Sequence, residues 1–476
     1  MATLPSRRVR AATRGELRRR RRTIAQAIGS DSVLLIPAAT EVPRNRDVHY
    51  PFRQDSDFTY LTGFPEPDAL AVIVPKRKQG EFVLFCRPRD PEREIWDGFR
   101  HGTEGAVASF GADQAFPLAE LDAKLPELLA DRRRIYYPLG TEGDLDLQVM
   151  EWLRAVRRQA RAGVSAPNEL VSSDRIIHEQ RLRKGAGELA VMRAAAAISA
   201  AAHRQLMQTC QPGLTEQQLE GVFLHACAEQ GARFQAYQPI VGGGANACVL
   251  HYIDNNAPLR DGDLVLVDAG CELQGYASDI TRTFPVNGRF SPAQRALYDL
   301  VLAAQRAAIE QVRPGRRWNQ PHEAALQVLT RGLLELGLIE GSIEALPRLI
   351  EEEAYKPFYM HRTGHWLGMD VHDVGDYKQD GKWRRFEPGM VLTVEPGLYV
   401  APDAPAPAQF RGIGIRIEDD VLVTTEGREV LSANVPKEAA EIEALMATGT
   451  SRRRPATRRR QPAPPRSQAS GDRRKR

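Results

Sequence analysis

Long apolar runs are missing from this 476-residue chain. None approaches the roughly 20 residues that cross a bilayer, which excludes a helical membrane protein. The start, MATLPSRRVRAATRGELRRRRRT, is basic, yet no apolar core follows it as a secretory signal requires. Transit peptides are also arginine-rich, but Arg18 to Arg22 run directly into Ile24 and Ile28 and read as a basic-faced first helix. A soluble, cytoplasmic protein is expected. Cysteine is scarce: five residues, Cys86, Cys210, Cys227, Cys248 and Cys271, odd in number and with no C-x-x-C pair. That excludes a disulfide framework and a thiolate zinc site, and predicts free thiols in a reducing compartment. Acid is almost absent from residues 451–476, which hold eleven Arg/Lys against Asp472 alone. This net +10 exceeds the +4 of the whole chain, so residues 1–450 carry −6. Nearly free of aliphatics, the tail is predicted to be disordered. Its expected partners are polyanions, bound weakly and with steep salt dependence. No specific nucleic-acid partner and no membrane are expected.

The length allows two domains with sizeable cores. Short apolar runs at 32–36, 69–74, 82–85 and 134–137 alternate with helical patterns at about 14–28 and 145–161. An α/β domain over 14–165 is therefore expected, behind a basic extension at 1–13. Tyr60, Phe64 and Trp96 read as core aromatics. Gly163, Pro167 and three serines mark 162–175 as a linker. Helices are predicted at 187–209, 215–230, 291–312 and 321–336, and residues 386–432 are strand-rich. The second domain should span 175–446 and the tail 447–476, an α+β architecture overall. Val241-Gly-Gly-Gly244 is not followed by Lys-Ser/Thr, so it reads as a turn into a strand carrying His251 rather than a phosphate loop.

Several acids sit where burial makes charge costly. Leu264–Asp268 is an apolar run of the doubly buried kind, and Asp268 closes it. Past a turn marked by Gly270 and Gly275, Asp279 opens the β-favouring run 280–284. A hairpin would bring the two carboxylates together, and adjacent buried acids share a proton unless a cation lies between them. One aspartate there is an ordinary turn residue. Three further stretches change the balance: Met360 to Asp373 with His361, His365 and His372; Pro388 to Tyr399 with Glu395 closing another apolar run; and Gly412 to Asp420, where Arg416 and Glu418 share a strand face. Four carboxylates and one imidazole carry about four negative charges, which two divalent ions neutralise. His361 and His365 have helical spacing, but Gly364 and Gly368 favour an extended or looped presentation.

These motifs resemble those of the pita-bread metallopeptidases, aminopeptidase P in particular. The likeness spans roughly residues 14–446 and includes RNRDVHYPFRQDSDFTYLTGFPEPDA at 44–69. It implies a curved antiparallel sheet covered by helices and built from two similar halves, although no internal repeat is evident by eye. It implies five metal ligands, none replaced: Asp268 on one ion, His365 and Glu395 on the other, Asp279 and Glu418 bridging. Manganese is the implied metal, with cobalt, iron or zinc as alternatives. His251, His361 and His372 fall on substrate-side positions, and Arg416 on the arginine that holds the carboxylates. A tryptophan in the I-W-x-G context of Trp96 reaches the active site of a neighbouring subunit in bacterial aminopeptidase P. A homo-oligomer, dimer or tetramer, is expected accordingly.

The implied reaction is removal of the first residue from peptides with proline second. Glu395 would take a proton from water and return it to the leaving nitrogen. His361 and His372 would hydrogen-bond the scissile carbonyl or its oxyanion. Proline nitrogen has no N–H and its φ is fixed, so it needs a dedicated pocket; His251, His372 and Tyr399 supply rings for one. Two other readings compete: a prolidase, which cleaves dipeptides only, and a metal-free pita-bread binding protein, which would have lost ligands. Methionine aminopeptidase fits less well, because it typically lacks the first domain.

Overall fold

Period-two alternation builds the first sheet. In β1 (Ser32–Pro37), Val33 and Leu35 face one apolar layer, while Leu34 and Ile36 face the other. The strands β2 (Leu70–Ile73), β3 (Phe82–Cys86), β4 (Gln114–Pro117), β5 (Arg134–Tyr137) and β6 (Glu169–Ser172) join it in the order β4-β3-β2-β1-β5-β6. The β1–β2 and β2–β3 pairs are antiparallel and the other three are parallel. One face packs on helices Leu121–Leu129 and Gly143–Arg157 through Leu125, Val149 and Trp152. The other receives Ile24 and Ile28 of α1 (Arg14–Ile28), and that apolar cluster continues through Ile177 and Leu182 into the second domain.

The computed structural model describes residues 9–141 and 143–452. The expectations for residues 1–8 and 453–476, including disorder of the basic tail, lie outside the described residues. Residues 447–452, expected to open the tail, instead continue the last helix (Ala439–Arg452), where Gln208 Nε2 donates to Thr448 Oγ1 at 3.0 Å. The segment expected as a linker contains β6, which pairs in parallel with β5. Trp96 is not a core residue: it is 83% exposed on helix Pro91–Asp97, which buries no side chain. Tyr60 and Phe64 are buried.

In the second domain the helices α2 (Ala186–Thr209), α3 (Glu216–Glu229), α4 (Pro292–Gln311) and α5 (Asn319–Glu335) lie close to their predicted positions. Thr215 with Gln218, and Ser291 with Gln294, form capping boxes that start α3 and α4. The strands are antiparallel throughout. β7 (Ile240–Gly243), β8 (Leu264–Asp268) and β11 (Thr281–Pro285) form one three-stranded set, with β9 (Cys271–Leu273) and β10 (Tyr276–Ala277) as the hairpin between them. β12 (Val391–Val394), β15 (Asp419–Val423) and β16 (Arg428–Val430) form a second set, with β13 (Gly397–Val400) and β14 (Ile413–Arg416) paired between. α2 packs on β9, and α4 on β12, β13 and β14.

The two halves are similar at their centres. Leu264-Val-Leu-Val-Asp268-Ala-Gly270 and Val391-Leu-Thr-Val-Glu395-Pro-Gly397 both run as four strand residues, an acid, one residue and a glycine. Both glycines are required by close approach: a Cβ at Gly270 would lie 1.7 Å from the Ser278 carbonyl oxygen, and one at Gly397 2.8 Å from that of Ile415. A short repeat is therefore present where none was evident.

Val241 to Gly243 belong to β7 rather than to a turn, and His251 lies in a turn, not a strand. The cause is Glu216, fully buried at the start of α3. Its carboxylate accepts from Gly243 N (2.7 Å), Asn246 Nδ2 (3.0 Å), the Tyr252 hydroxyl (2.8 Å) and Ala257 N (2.8 Å). Those bonds replace a strand ladder and hold 250–257 as a loop.

Candidate metal centre

Each half delivers one acid at the end of a strand and another just before the antiparallel partner. Asp268 ends β8, whose register pairs it with Thr281, and Asp279 lies two residues before that threonine. Glu395 follows β12, and Glu418 precedes β15, where Val394 pairs with Asp419. Glu418 N donates to the Thr281 carbonyl (3.1 Å) and Arg416 N to Thr283 Oγ1 (3.2 Å), so the halves are joined beside the acids. His365 comes from a looped segment, as its glycines suggested. Thr393 N bonds the His365 carbonyl at 2.9 Å, and Glu395 N that of Thr363 at 2.8 Å. This places the imidazole against β12.

Asp279, His365 and Glu418 each offer a donor atom within 4.8 Å of the others. Asp268 and Glu395 line the same cavity of about 450 Å³, with His251, His361, His372 and Arg416. His365 Nε2 lies 3.4 Å from Asp279 and 3.6 Å from Glu395. Arg416, buried, donates to Asp268 Oδ2 (2.6 Å), the Tyr399 hydroxyl (2.9 Å) and Thr281 Oγ1 (3.2 Å). Thr281 passes its own proton to Glu418 Oε2 at 2.6 Å.

The electrostatics describe an anionic cluster short of cations. Burial pushes Glu395 up to about 7 and raises Asp268 and Glu418 too, with neighbouring carboxylates adding to it. Only Asp279 goes down: burial opposes this, but the adjoining His365 outweighs it. Burial would depress His365 in turn, yet Asp279 and Glu395 carry it up to about 9. With all four ionised, the carboxylates leave at least two negative charges that Arg416 and one imidazole do not compensate, and oxygen donors with one nitrogen suit hard or borderline divalent ions. The residues present fit such ions.

The substrate-side residues divide. His361 has both nitrogens engaged: Nδ1 with the Arg362 carbonyl (2.7 Å) and Nε2 with the Tyr399 hydroxyl (2.9 Å). Burial depresses it to about 3, so it is neutral, donating from Nδ1 and accepting at Nε2. His251 and His372 line the cavity with ring nitrogens that have no hydrogen-bond partner among the described residues. Trp96 does not line it.

Two residues that sequence reasoning missed belong here. The Tyr237 hydroxyl lies 2.6 Å from Asp268 Oδ1 and 2.5 Å from Asp279 Oδ1. Nothing in its sequence context separates it from a core tyrosine. Asp420, buried, accepts the backbone N–H of Asp279 on both oxygens at 3.2 Å. It carries the same signal as Glu418, an acid in an apolar run.

A model described as metallopeptidase family M24 matches residues 190–425, and one described as aminopeptidase P, N-terminal domain, matches residues 17–136. The Xaa-Pro aminopeptidase of Escherichia coli (strain K12) is 46% identical over 435 residues, covering 91% of this chain and 98% of that protein. The chain belongs to metallopeptidase family M24. Its fold agrees with solved structures: an aminopeptidase from Pseudomonas aeruginosa has a TM-score of 0.91 at 54% identity, over 92% of this chain and 99% of that one. Zinc-substituted E. coli aminopeptidase P in complex with product has a TM-score of 0.89 at 45% identity, over 92% and 99%. The M24 match encloses every acid and histidine of the cluster, and the aminopeptidase P match runs from within α1 through strands β1 to β4 and into β5.

Proposed function

We propose that this chain is an Xaa-Pro aminopeptidase, a metal-dependent hydrolase that releases the N-terminal residue from peptides with proline second. The observation that carries the reading is the buried cluster of four carboxylates and His365 at one cavity, in a chain that matches such enzymes over both domains. We assign two divalent ions, manganese foremost, to Asp268, Asp279, His365, Glu395 and Glu418. When bound, such ions polarise a carbonyl and acidify water.

The chain's own groups do the rest. Glu395 takes the proton from the attacking water and returns it to the leaving proline nitrogen. His372 and His251, with uncommitted nitrogens, donate to the scissile carbonyl, while His361 orients Tyr399 on Arg416. Ile240, Leu250, Ile253 and Val371 supply an apolar wall for the pyrrolidine. Among the described residues no helix is long and apolar enough to cross a membrane. Five free cysteines, four of them buried, support a cytoplasmic setting. Ile95, Trp96 and Phe99, exposed by 81%, 83% and 65%, support a homo-oligomer in which Trp96 meets a neighbour.

The variant Asp279→Asn is expected to lose most bound metal and more than roughly 100-fold in activity. Wild-type metal stoichiometry with full turnover would refute the assignment. Hydrolysis of an Xaa-Pro-Yaa tripeptide separates this activity from a prolidase, which would leave it intact.

A further inference from the structure

Among the described residues no hydrogen bond orients His372 in the cavity; its ring meets that of His365 edge-on, centroids 4.3 Å apart. Its placement therefore depends on the backbone of the loop that carries it. Asp373 N closes that loop on the Trp366 carbonyl at 2.9 Å. The loop is also held by an ionic cluster, buried at Arg181, Lys184 and Asp373 and partly open at Asp370, whose cations come from elsewhere in the chain.

Arg181, on helix Asp174–Leu182, is 3% exposed. Its Nη2 donates to Asp370 Oδ2 and Asp373 Oδ1, both at 2.7 Å, and its Nη1 to Asp57 Oδ1 at 2.7 Å. Asp57 lies on helix Ser56–Thr62 of the first domain. Lys184, also buried, donates to the other oxygen of Asp373 at 2.8 Å. Arg53 of the first domain donates to the Met369 carbonyl at 2.7 Å. The two acids bracket His372, one two residues before it and the other one after. A buried ion cluster is weak evidence for stability, and holding a register is the best-attested use of one.

We propose that Arg181 is a positioning residue for the aminopeptidase reaction: it clamps Asp370 and Asp373 to Asp57, so that the first domain sets where His372 stands in the cavity. The first domain thereby takes part in the chemistry of its own chain. The inference rests on the Xaa-Pro aminopeptidase reading.

The test is a double-mutant cycle in the full-length, metal-loaded protein, on an Xaa-Pro-Yaa tripeptide. Arg181→Met in the wild-type background is expected to lower kcat roughly 10- to 100-fold with metal stoichiometry unchanged. In a His372→Ala background the same change is expected to cost less than about threefold, because the group being positioned is gone. Arg181→Lys should recover most of the loss. Asp57→Asn, a milder change in the first domain, should shift kcat the same way if Arg181→Met does not fold. Equal losses in both backgrounds, or wild-type kcat in a folded Arg181→Met or Asp57→Asn protein, would overturn the proposal. If the wild-type protein leaves Xaa-Pro-Yaa peptides uncut, the functional reading fails before the cycle begins.

Discussion

Tyr237 has one proton to share between two carboxylates. Burial and the charges of Asp268 and Asp279 raise its hydroxyl well above the usual range, so it stays a donor. With Arg416 on the other oxygen of Asp268, it fixes the rotamers of both acids before any ion arrives. Tyr237→Phe keeps the ring and removes that bond, which to a charged acceptor contributes about 1.5–3 kcal/mol. Metal affinity should fall roughly 10- to 100-fold, read by competition with a chelator, while the thermal midpoint of the metal-free protein stays within a few degrees. An unaltered affinity would show that the carboxylates hold their own geometry. The contrast with Asp268 explains what was legible at this scale. An acid inside an apolar run is costly unless compensated, so it announces a partner; a tyrosine in a loop fits core and site equally well.

Strands and helices were legible where their signal is local. α3 and α4 open on capping boxes of their own, α2 stops before Pro212-Gly213 and α5 before Gly337, and β1 to β3 and β5 are apolar runs. β6 was not: its residues are half-buried, and it becomes a strand only because β5, 35 residues earlier, lies alongside (Arg134 pairs with Glu169). The loop at His251 escaped for a related reason, since Glu216 gathers it from a helix start 35 residues away. Glu216→Ala would strand four donors, two of them backbone N–H groups. Each stranded donor that stays dry costs about 1–3 kcal/mol, so a destabilisation of at least about 3 kcal/mol is expected. Urea unfolding would measure it. Because the loop carries His251, KM for Xaa-Pro peptides should rise more than kcat falls. A variant as stable as wild type would mean that water replaces the carboxylate.

Charge and surface together shape the whole molecule. Residues 1–450 carry −6, and the cluster of carboxylates accounts for part of it. Helix Pro91–Asp97 buries none of its side chains, yet Ile95 and Trp96 on it and Phe99 just beyond are among the most exposed apolar residues. The reading of Trp96 as core failed because an aromatic residue gives the same sequence signal whether it packs inside its own chain or stands at the surface. Exposed apolar patches of this kind mark contact surfaces. If a second copy covers this one, replacing Ile95 and Trp96 by serine should lower the mass measured by light scattering towards that of one chain. The thermal midpoint of the protomer should change little, since neither residue packs on its own chain. If a neighbour's Trp96 also reaches the cavity, a sharper consequence follows. Activity in the double variant would then fall and recover on mixing with an Asp279→Asn protein, whose intact Trp96 can complete a partner's site. Recovery requires subunit exchange, which the same light-scattering measurement can follow. A wild-type chain that scatters as a monomer at assay concentration would remove the basis for this assembly, and the hydrophobic triad would then need another occupant.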